Sequence, residues 1–245
     1  MSLSKKQIKL INSLRLKKYR KINGLFIAEG IKVVNELLDS SLKVHSLFVV
    51  ESSNFNTKNE EITTYISDEE LKKITTLKTP NKVLGIFHIP EETQKEDTGL
   101  VIALDAINDP GNLGTIIRLC DWFGVEKLIC SSDTVDCYNQ KVIQSTMGSI
   151  TRVNISYVDI INYLESTSFP TFIADMDGEN VYTKELPKEA VLVMGNEANG
   201  VSEHVRSLIT NKLTIPRFGE SQQTESLNVA MATSILISEF KRNLK

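Results

Sequence analysis

The pattern of apolar and polar positions changes rhythm near residue 100. Between residues 24 and 88, short apolar runs predict strands at Leu25–Ala28, Val44–Val50, Thr63–Ile66 and Val83–Phe87, and helical spacing predicts helices at Gly30–Leu38 and Asp68–Thr75. Ser67, with Glu70 three residues on, has the form of a capping box, and Asp68 and Glu69 place negative charge in the first turn. The polar stretch from Pro90 to Gly99 has no apolar period and reads as a linker. Beyond it, strands predicted at Leu100–Leu104, Lys127–Ser131, Thr171–Ala174, Ala190–Met194 and Lys212–Ile215 alternate with helices at Asn112–Phe123, Asn139–Met147, Asp159–Glu165 and Glu203–Leu208. That alternation implies an α/β domain with a mainly parallel sheet covered on both faces. A last helix, carrying Leu227, Ala230, Met231, Ala232, Ile235, Leu236 and Phe240, is apolar around most of its circumference and should be buried in the fold or against a second subunit. The expected organisation is a small α/β domain over residues 1–90, a linker at 91–99 and a second domain over 100–245.

The first 21 residues stand apart. Leu3, Ile8, Leu10, Ile11 and Leu14 recur at helical spacing, and Lys5, Lys6, Lys9, Arg15, Lys17, Lys18, Arg20 and Lys21 accompany them with no acidic residue. This predicts a basic amphipathic helix followed by a basic turn. Over the whole chain of 245 residues, 28 Lys and Arg face 31 Asp and Glu, a net charge of −3 that by itself argues against a nucleic-acid partner. The average conceals +8 over residues 1–21 and −11 over the remainder. Lys17, Lys18, Arg20 and Lys21 are therefore candidate phosphate contacts.

Composition excludes several classes. With 24% charged residues, 12 Gly and 6 Pro, the chain is neither disordered nor collagen-like. No apolar run approaches the roughly 18 residues of a membrane span, and MSLSKKQIKL lacks the apolar core of a signal peptide, so a cytoplasmic protein without membrane attachment is expected. Cys120, Cys130 and Cys137 lack CxxC spacing and read as buried thiols. His45, His88 and His204 are dispersed, so no metal site is expected.

In parallel sheets ligands bind beyond the carboxyl ends of strands, and three turns there are unusual. After Leu104 the chain reads DAINDPGNLGTIIR, with Pro110 setting the turn and Asn112 and Arg118 as polar groups near the start of a helix. After Met194 it reads GNEANGVS: a buried strand runs directly into Gly195, Asn196 and Glu197, Gly200 supplies a positive φ, and Ser202 can cap the next helix. After Ile215 a polar loop, PRFGESQQTES, leads to the last helix. No GxGxxG occurs, which excludes the usual dinucleotide fingerprint.

Together NDPGNLGTIIR (108–118), VLVMGNEANGVS (191–202) and LTIPRFGESQQTESLNVAMA (213–232) resemble the SpoU (TrmH) family of SPOUT methyltransferases. The resemblance covers residues 100–243 well. It extends more weakly to KKYRKINGLFIAEGIKVVNELL, which is similar to the start of the family's small RNA substrate-binding domain. It implies a C-terminal domain with a deep trefoil knot and transfer of a methyl group from S-adenosyl-methionine to a ribose 2′-hydroxyl of ribosomal or, less readily, transfer RNA. It also implies a homodimer joined through the knot region and last helix. Carried over by motif, the catalytic set is Asn112, Arg118, Glu197, Ser226 and Asn228. The cofactor set is Met194, Gly195, Asn196, Glu197, Gly200, Ile215 and Leu227, offering mainly backbone groups. Because Arg stays protonated, Arg118 is read as a group that holds the target phosphate and stabilises a developing alkoxide rather than as a base. One departure is Gly148-Ser149, where the family commonly has Gly-Ala. Two other classes compete with this reading: a SPOUT base methyltransferase, disfavoured by the Asn112/Arg118 and Ser226/Asn228 pairs, and a non-catalytic RNA-binding or assembly protein.

Overall fold

The computed structural model describes residues 3–57, 60–91, 96–219 and 226–242. The chain forms two compact units, one of Met1–Glu92 with Asp136–Thr151 and the other of Thr93–Val135 with Arg152–Lys245. This differs from the single break expected at 91–99, because residues 136–151 pack with the first unit.

The first unit opens with α1 (Lys5–Ser13) and α2 (Lys17–Asn23). Ser4 and Gln7 form a capping box at the start of α1. The basic turn expected after α1 is itself a helix, α2, ending at Gly24. Next come β1 (Leu25–Glu29), α3 (Ile31–Leu38), β2 (Val44–Val50), β3 (Thr63–Ile66), α4 (Asp68–Ile74) and β4 (Val83–His88). The Ser67/Glu70 capping box of α4 is present. The sheet order is β1-β4-β2-β3, with β4 antiparallel to both neighbours and β2 parallel to β3. Ile11 and Leu14 from the basic segment are fully buried with Phe48, Ile66, Leu71 and Leu84, so the segment belongs to the core of this unit.

In the second unit, β5 (Leu100–Leu104), α5 (Pro110–Phe123), β6 (Lys127–Ser131), β7 (Asn154–Val158), α7 (Ile160–Ser166), β8 (Thr171–Asn180), β9 (Ala190–Met194), α8 (Glu203–Leu208), β10 (Asn211–Thr214) and α9 (Val229–Lys241) follow in order. The short α6 (Gln140–Thr146), which falls between β6 and β7 in the chain, lies in the first unit. The six strands pair in the order β10-β8-β9-β5-β6-β7, every pair parallel. Strand order runs outward from β5 to β7 and then reverses, which places the topological switch point between β5 and β9. By the general rule for such sheets, a ligand cleft belongs beyond their carboxyl ends. The core beneath it contains Val101, Ala103, Ile129, Ile173, Val191 and Val193, all at most 1% exposed.

Candidate active site

Three turns meet at the switch point, and the hydrogen bonds between them are specific. Leaving β5, Asp105 donates its N–H to the Met194 carbonyl at 2.9 Å, which ties the ends of β5 and β9 together. Ala106 takes a left-handed φ of 57°, its N–H donating to Ser131 Oγ at 2.9 Å. Asp109 then caps α5 by accepting from Asn112 N–H at 2.8 Å, with Pro110 in the first turn. That cap aims the Asn112 side chain outward from the helix start.

Asn112 links all three motifs. Its Nδ2 donates to Glu197 Oε1 at 2.9 Å, and its Oδ1 accepts from Asn228 Nδ2 at 3.0 Å. The amide orientation follows from the network, since the flipped amide would set oxygen against a carboxylate. Asn228 is also the N-cap of α9, its Oδ1 accepting from the N–H groups of Ala230 and Met231 at 2.9 and 3.3 Å.

The loop after β9 is held by its own backbone. Asn196 and Gly200 exchange N–H···O=C bonds of 2.8 and 2.9 Å. Asn196 Nδ2 donates to the Ala106 carbonyl at 2.7 Å, and its Oδ1 accepts from Ala198 and Asn199. A Cβ on Gly195 would lie 2.2 Å from the Gly200 carbonyl carbon and the Val201 nitrogen, so only glycine fits. Gly200 has the expected positive φ of 67°. Ser202 sits at the N-cap of α8, but its side chain makes no capping bond. Its N–H instead donates to the buried Asp105 carboxylate at 2.7 Å.

Beside this network is a cavity of 630 Å³, within the size range of small-molecule and cofactor sites. Every expected cofactor position lines it: Met194, Gly195, Asn196, Glu197, Gly200, Ile215 and Leu227, together with Ser226. The chain leaves the sheet at Thr214 and crosses the cavity wall through Ile215–Gly219 without regular structure, so its main-chain groups there are not committed to a ladder. Glu197 gives one wall a carboxylate. Mixed backbone and apolar walls, with the Glu197 carboxylate on one side, suit a nucleoside carrying a cationic sulfonium centre.

Other expected residues fall elsewhere. Arg118 is exposed on α5 and does not line the cavity; among the described residues it makes no ion pair. Arg20, expected to contact RNA, is only 3% exposed: its guanidinium grips Asp136 at 2.9 Å through Nε and donates to the carbonyls of Leu14 and Arg15. Basic character alone could not separate it from Lys17, Lys18 and Lys21, which are exposed. Gln222 and Gln223 of the polar loop lie outside the described residues. Sequence reasoning missed Asp175 and Arg206, which form an ion pair in the cavity wall, with Lys212 Nζ 3.6 Å from the same carboxylate. Burial opposes ionisation of Asp175, but the Asp177 N–H and the two cations outweigh it and hold its carboxyl below the ordinary range. The only signal was an Asp at the end of an apolar strand run.

The parallel sheet, with a cavity lined by β8 and by the carboxyl ends of β9 and β10, defines an α/β domain built to hold a small molecule. Residues 99–238 match the SpoU rRNA Methylase family, and residues 5–85 match the MRM3-like substrate binding domain. The chain belongs to the SpoU rRNA methylase family. It is 31% identical to the 23S rRNA (guanosine(2553)-2′-O)-methyltransferase RlmP of Bacillus subtilis, with 96% of each chain covered. Among solved structures, it matches a TrmH-family RNA methyltransferase from Porphyromonas gingivalis at 35% identity and a TM-score of 0.87, covering 98% of each chain. It also matches an AdoMet-bound rRNA methyltransferase from Sinorhizobium meliloti at 28% identity and a TM-score of 0.86, covering 100% of this chain and 98% of that one. Among the described residues there is no cluster of three or more His, Cys, Asp or Glu that could hold a metal, and no helix long and apolar enough to cross a membrane.

Proposed function

We propose that this protein transfers the methyl group of S-adenosyl-methionine to a ribose 2′-hydroxyl of ribosomal RNA in the cytoplasm. The observation that carries the reading is the Asn228→Asn112→Glu197 hydrogen-bond chain beside the cavity, which joins residues 85 and 116 positions apart. Relatives named as rRNA methyltransferases, one of them crystallised with AdoMet, support it. The cofactor supplies an electrophilic methyl on a sulfonium. Backbone at Gly195, Ile215 and Leu227 would hold it, and Glu197 would complement its positive charge. Because Asn112 occupies Glu197 Oε1, the other carboxylate oxygen is left to receive a donor from the ligand side. A ribose hydroxyl is a very weak acid, so alignment and stabilisation of the developing alkoxide carry much of the rate. Ser226 would orient the ribose, and Arg118 the adjoining phosphate.

The same reading, with the family resemblance, implies a homodimer through the knot region and α9, and the exposed face of α5 supports it. Arg118 shares the exposed face of α5 with Thr115 and Trp122, and Trp122 is 84% exposed while Met231 on α9 is 61% exposed. A second copy would cover these apolar groups and draw Arg118 into a site. Calorimetry with S-adenosyl-methionine tests the cofactor assignment: saturable binding is expected, and no binding at millimolar cofactor would sink it. Arg118→Ala should lose methyl transfer to rRNA while retaining cofactor binding and thermal stability; unchanged activity would remove Arg118 from the reaction.

A further inference from the structure

The basic N-terminal segment carries a surface that charge alone does not explain. In and beside α2, Leu16 is 60% exposed, Tyr19 40% and Ile22 66%. Residues three apart share a helix face, so these side chains form one apolar row open to solvent. Lys18 and Lys21, also three apart and exposed, make the adjoining row. Arg20 is the anchor that turns inward, its guanidinium held by Asp136 and by the carbonyls of Leu14 and Arg15, which fixes which face of α2 looks outward. No carboxylate occurs in the sequence before Glu29, so every charged side chain that α2 itself contributes is cationic.

We propose that this two-row face of α2 is a docking surface for a single-stranded segment of the RNA substrate, with Tyr19 stacking on an unpaired base, Ile22 packing beside it, and Lys18 and Lys21 on the phosphates. The proposal rests on the RNA-substrate reading above and adds the class of RNA recognised. A duplex offers phosphates and groove edges but keeps its base faces stacked, so it would engage the lysines and leave the apolar row in water. An unpaired base has exposed π faces that gain from an aromatic platform whatever its identity. A protein partner would also cover an apolar row, but the exposed Lys18 and Lys21 alongside it match a polyanion.

The experiment measures binding of an oligouridylate single strand and of an A·U duplex of the same length by fluorescence anisotropy across a salt series. Tyr19→Ala should weaken single-strand binding on the order of tenfold, with duplex binding and the slope against log salt unchanged. Tyr19→Phe should restore it. Lys18→Ala and Lys21→Ala should lower affinity for both RNAs and flatten the slope. All three substituted positions are solvent-exposed, and unchanged melting temperatures confirm that the variants fold. Single-strand binding by Tyr19→Ala equal to wild type, or an equal loss on the duplex, would overturn the proposal. So would a wild-type protein that binds S-adenosyl-methionine and methylates rRNA but shows no preference for the single strand; that result would leave the enzymatic reading standing. Failure to bind cofactor would instead strike the enzymatic reading itself.

Discussion

The amides of Asn112, Asn196 and Asn228 each work at both ends, donating through Nδ2 and accepting through Oδ1. Networks satisfied in this way fix geometry more sharply than single bonds, so small changes around them should register in binding. Gly195→Ala is the sharpest case, because the added carbon must displace loop backbone now 2.2 Å away. Cofactor affinity should fall by at least tenfold in calorimetry while the far-ultraviolet dichroism of the sheet persists; wild-type affinity would show that the loop shape is not needed. Asp105 acts one bond further out, by holding the Ser202 N–H. Asp105→Ala orphans that donor and should cost about 1–3 kcal/mol in urea unfolding, with weaker cofactor binding, whereas Asp105→Asn keeps an acceptor oxygen and should recover most of both. Cys120 is a residue of the opposite kind: full burial pushes its thiol up to about 12. Buried and held as the neutral thiol, Cys120 should resist alkylation in the native protein and react only on unfolding.

Elements with a strong apolar period were legible from sequence, and those whose identity depends on neighbours were not. Val44–Val50, Lys127–Ser131, Ala190–Met194 and Glu203–Leu208 form where the pattern predicts, since burial on both faces or on one stripe dictates their composition. Asn154–Val158 escaped notice because each of its residues is only half-buried on the sheet margin. The apolar pattern predicts β8 only to Ala174, because its continuation DMDGEN is polar and pairs with the register-shifted strand β10 rather than with a hydrophobic face. By its position in the chain Asp136–Thr151 belongs with the second domain, yet it packs with the first unit. It packs α6 against β1, with Val142 and Ile143 buried, and adds specific pairs: Asp136 with Arg20, Gln140 with the buried Glu29, and Tyr138 with Phe26 at 4.9 Å between ring centroids. Polar pairs of that separation have no sequence period. They do have an energetic signature, because removing one member of a buried ion pair leaves its partner desolvated and unpaired. Arg20→Met should destabilise the protein by about 3 kcal/mol in urea unfolding and leave the salt slope of RNA binding as it was. A loss of slope with unchanged stability would return Arg20 to the RNA-contact set. The candidate site was legible for a related reason: Gly195, Glu197, Asn112 and Asn228 sit at strand ends and helix caps, positions whose residue type the backbone and its ligand jointly restrict.

For the molecule as a whole, a net charge of −3 is a poor guide to partners, because the basic residues of the first 21 positions do two jobs. Arg15 donates to the carbonyls of Ile74 and Thr75, and Arg20 is buried, while Lys5, Lys6, Lys9, Lys18 and Lys21 face solvent. The same segment contributes Leu3, Ile11 and Leu14 to the core, so its deletion would unfold the unit rather than test charge. Assembly offers a cleaner whole-molecule measurement. Trp122 is the single tryptophan and is 84% exposed, on the face it shares with Arg118. If that face is covered by a second copy, light scattering at micromolar concentration should report a particle of two chains, and tryptophan emission should shift to shorter wavelength as concentration rises through the dissociation constant. Trp122→Glu would set two carboxylates in the apolar centre of a two-fold interface, a desolvation cost that should leave the protein monomeric. Since Arg118 lies outside the cavity of its own chain, that monomer should still bind S-adenosyl-methionine yet transfer methyl poorly. A monomeric wild-type protein with full activity would refute both the dimer and the role it gives Arg118.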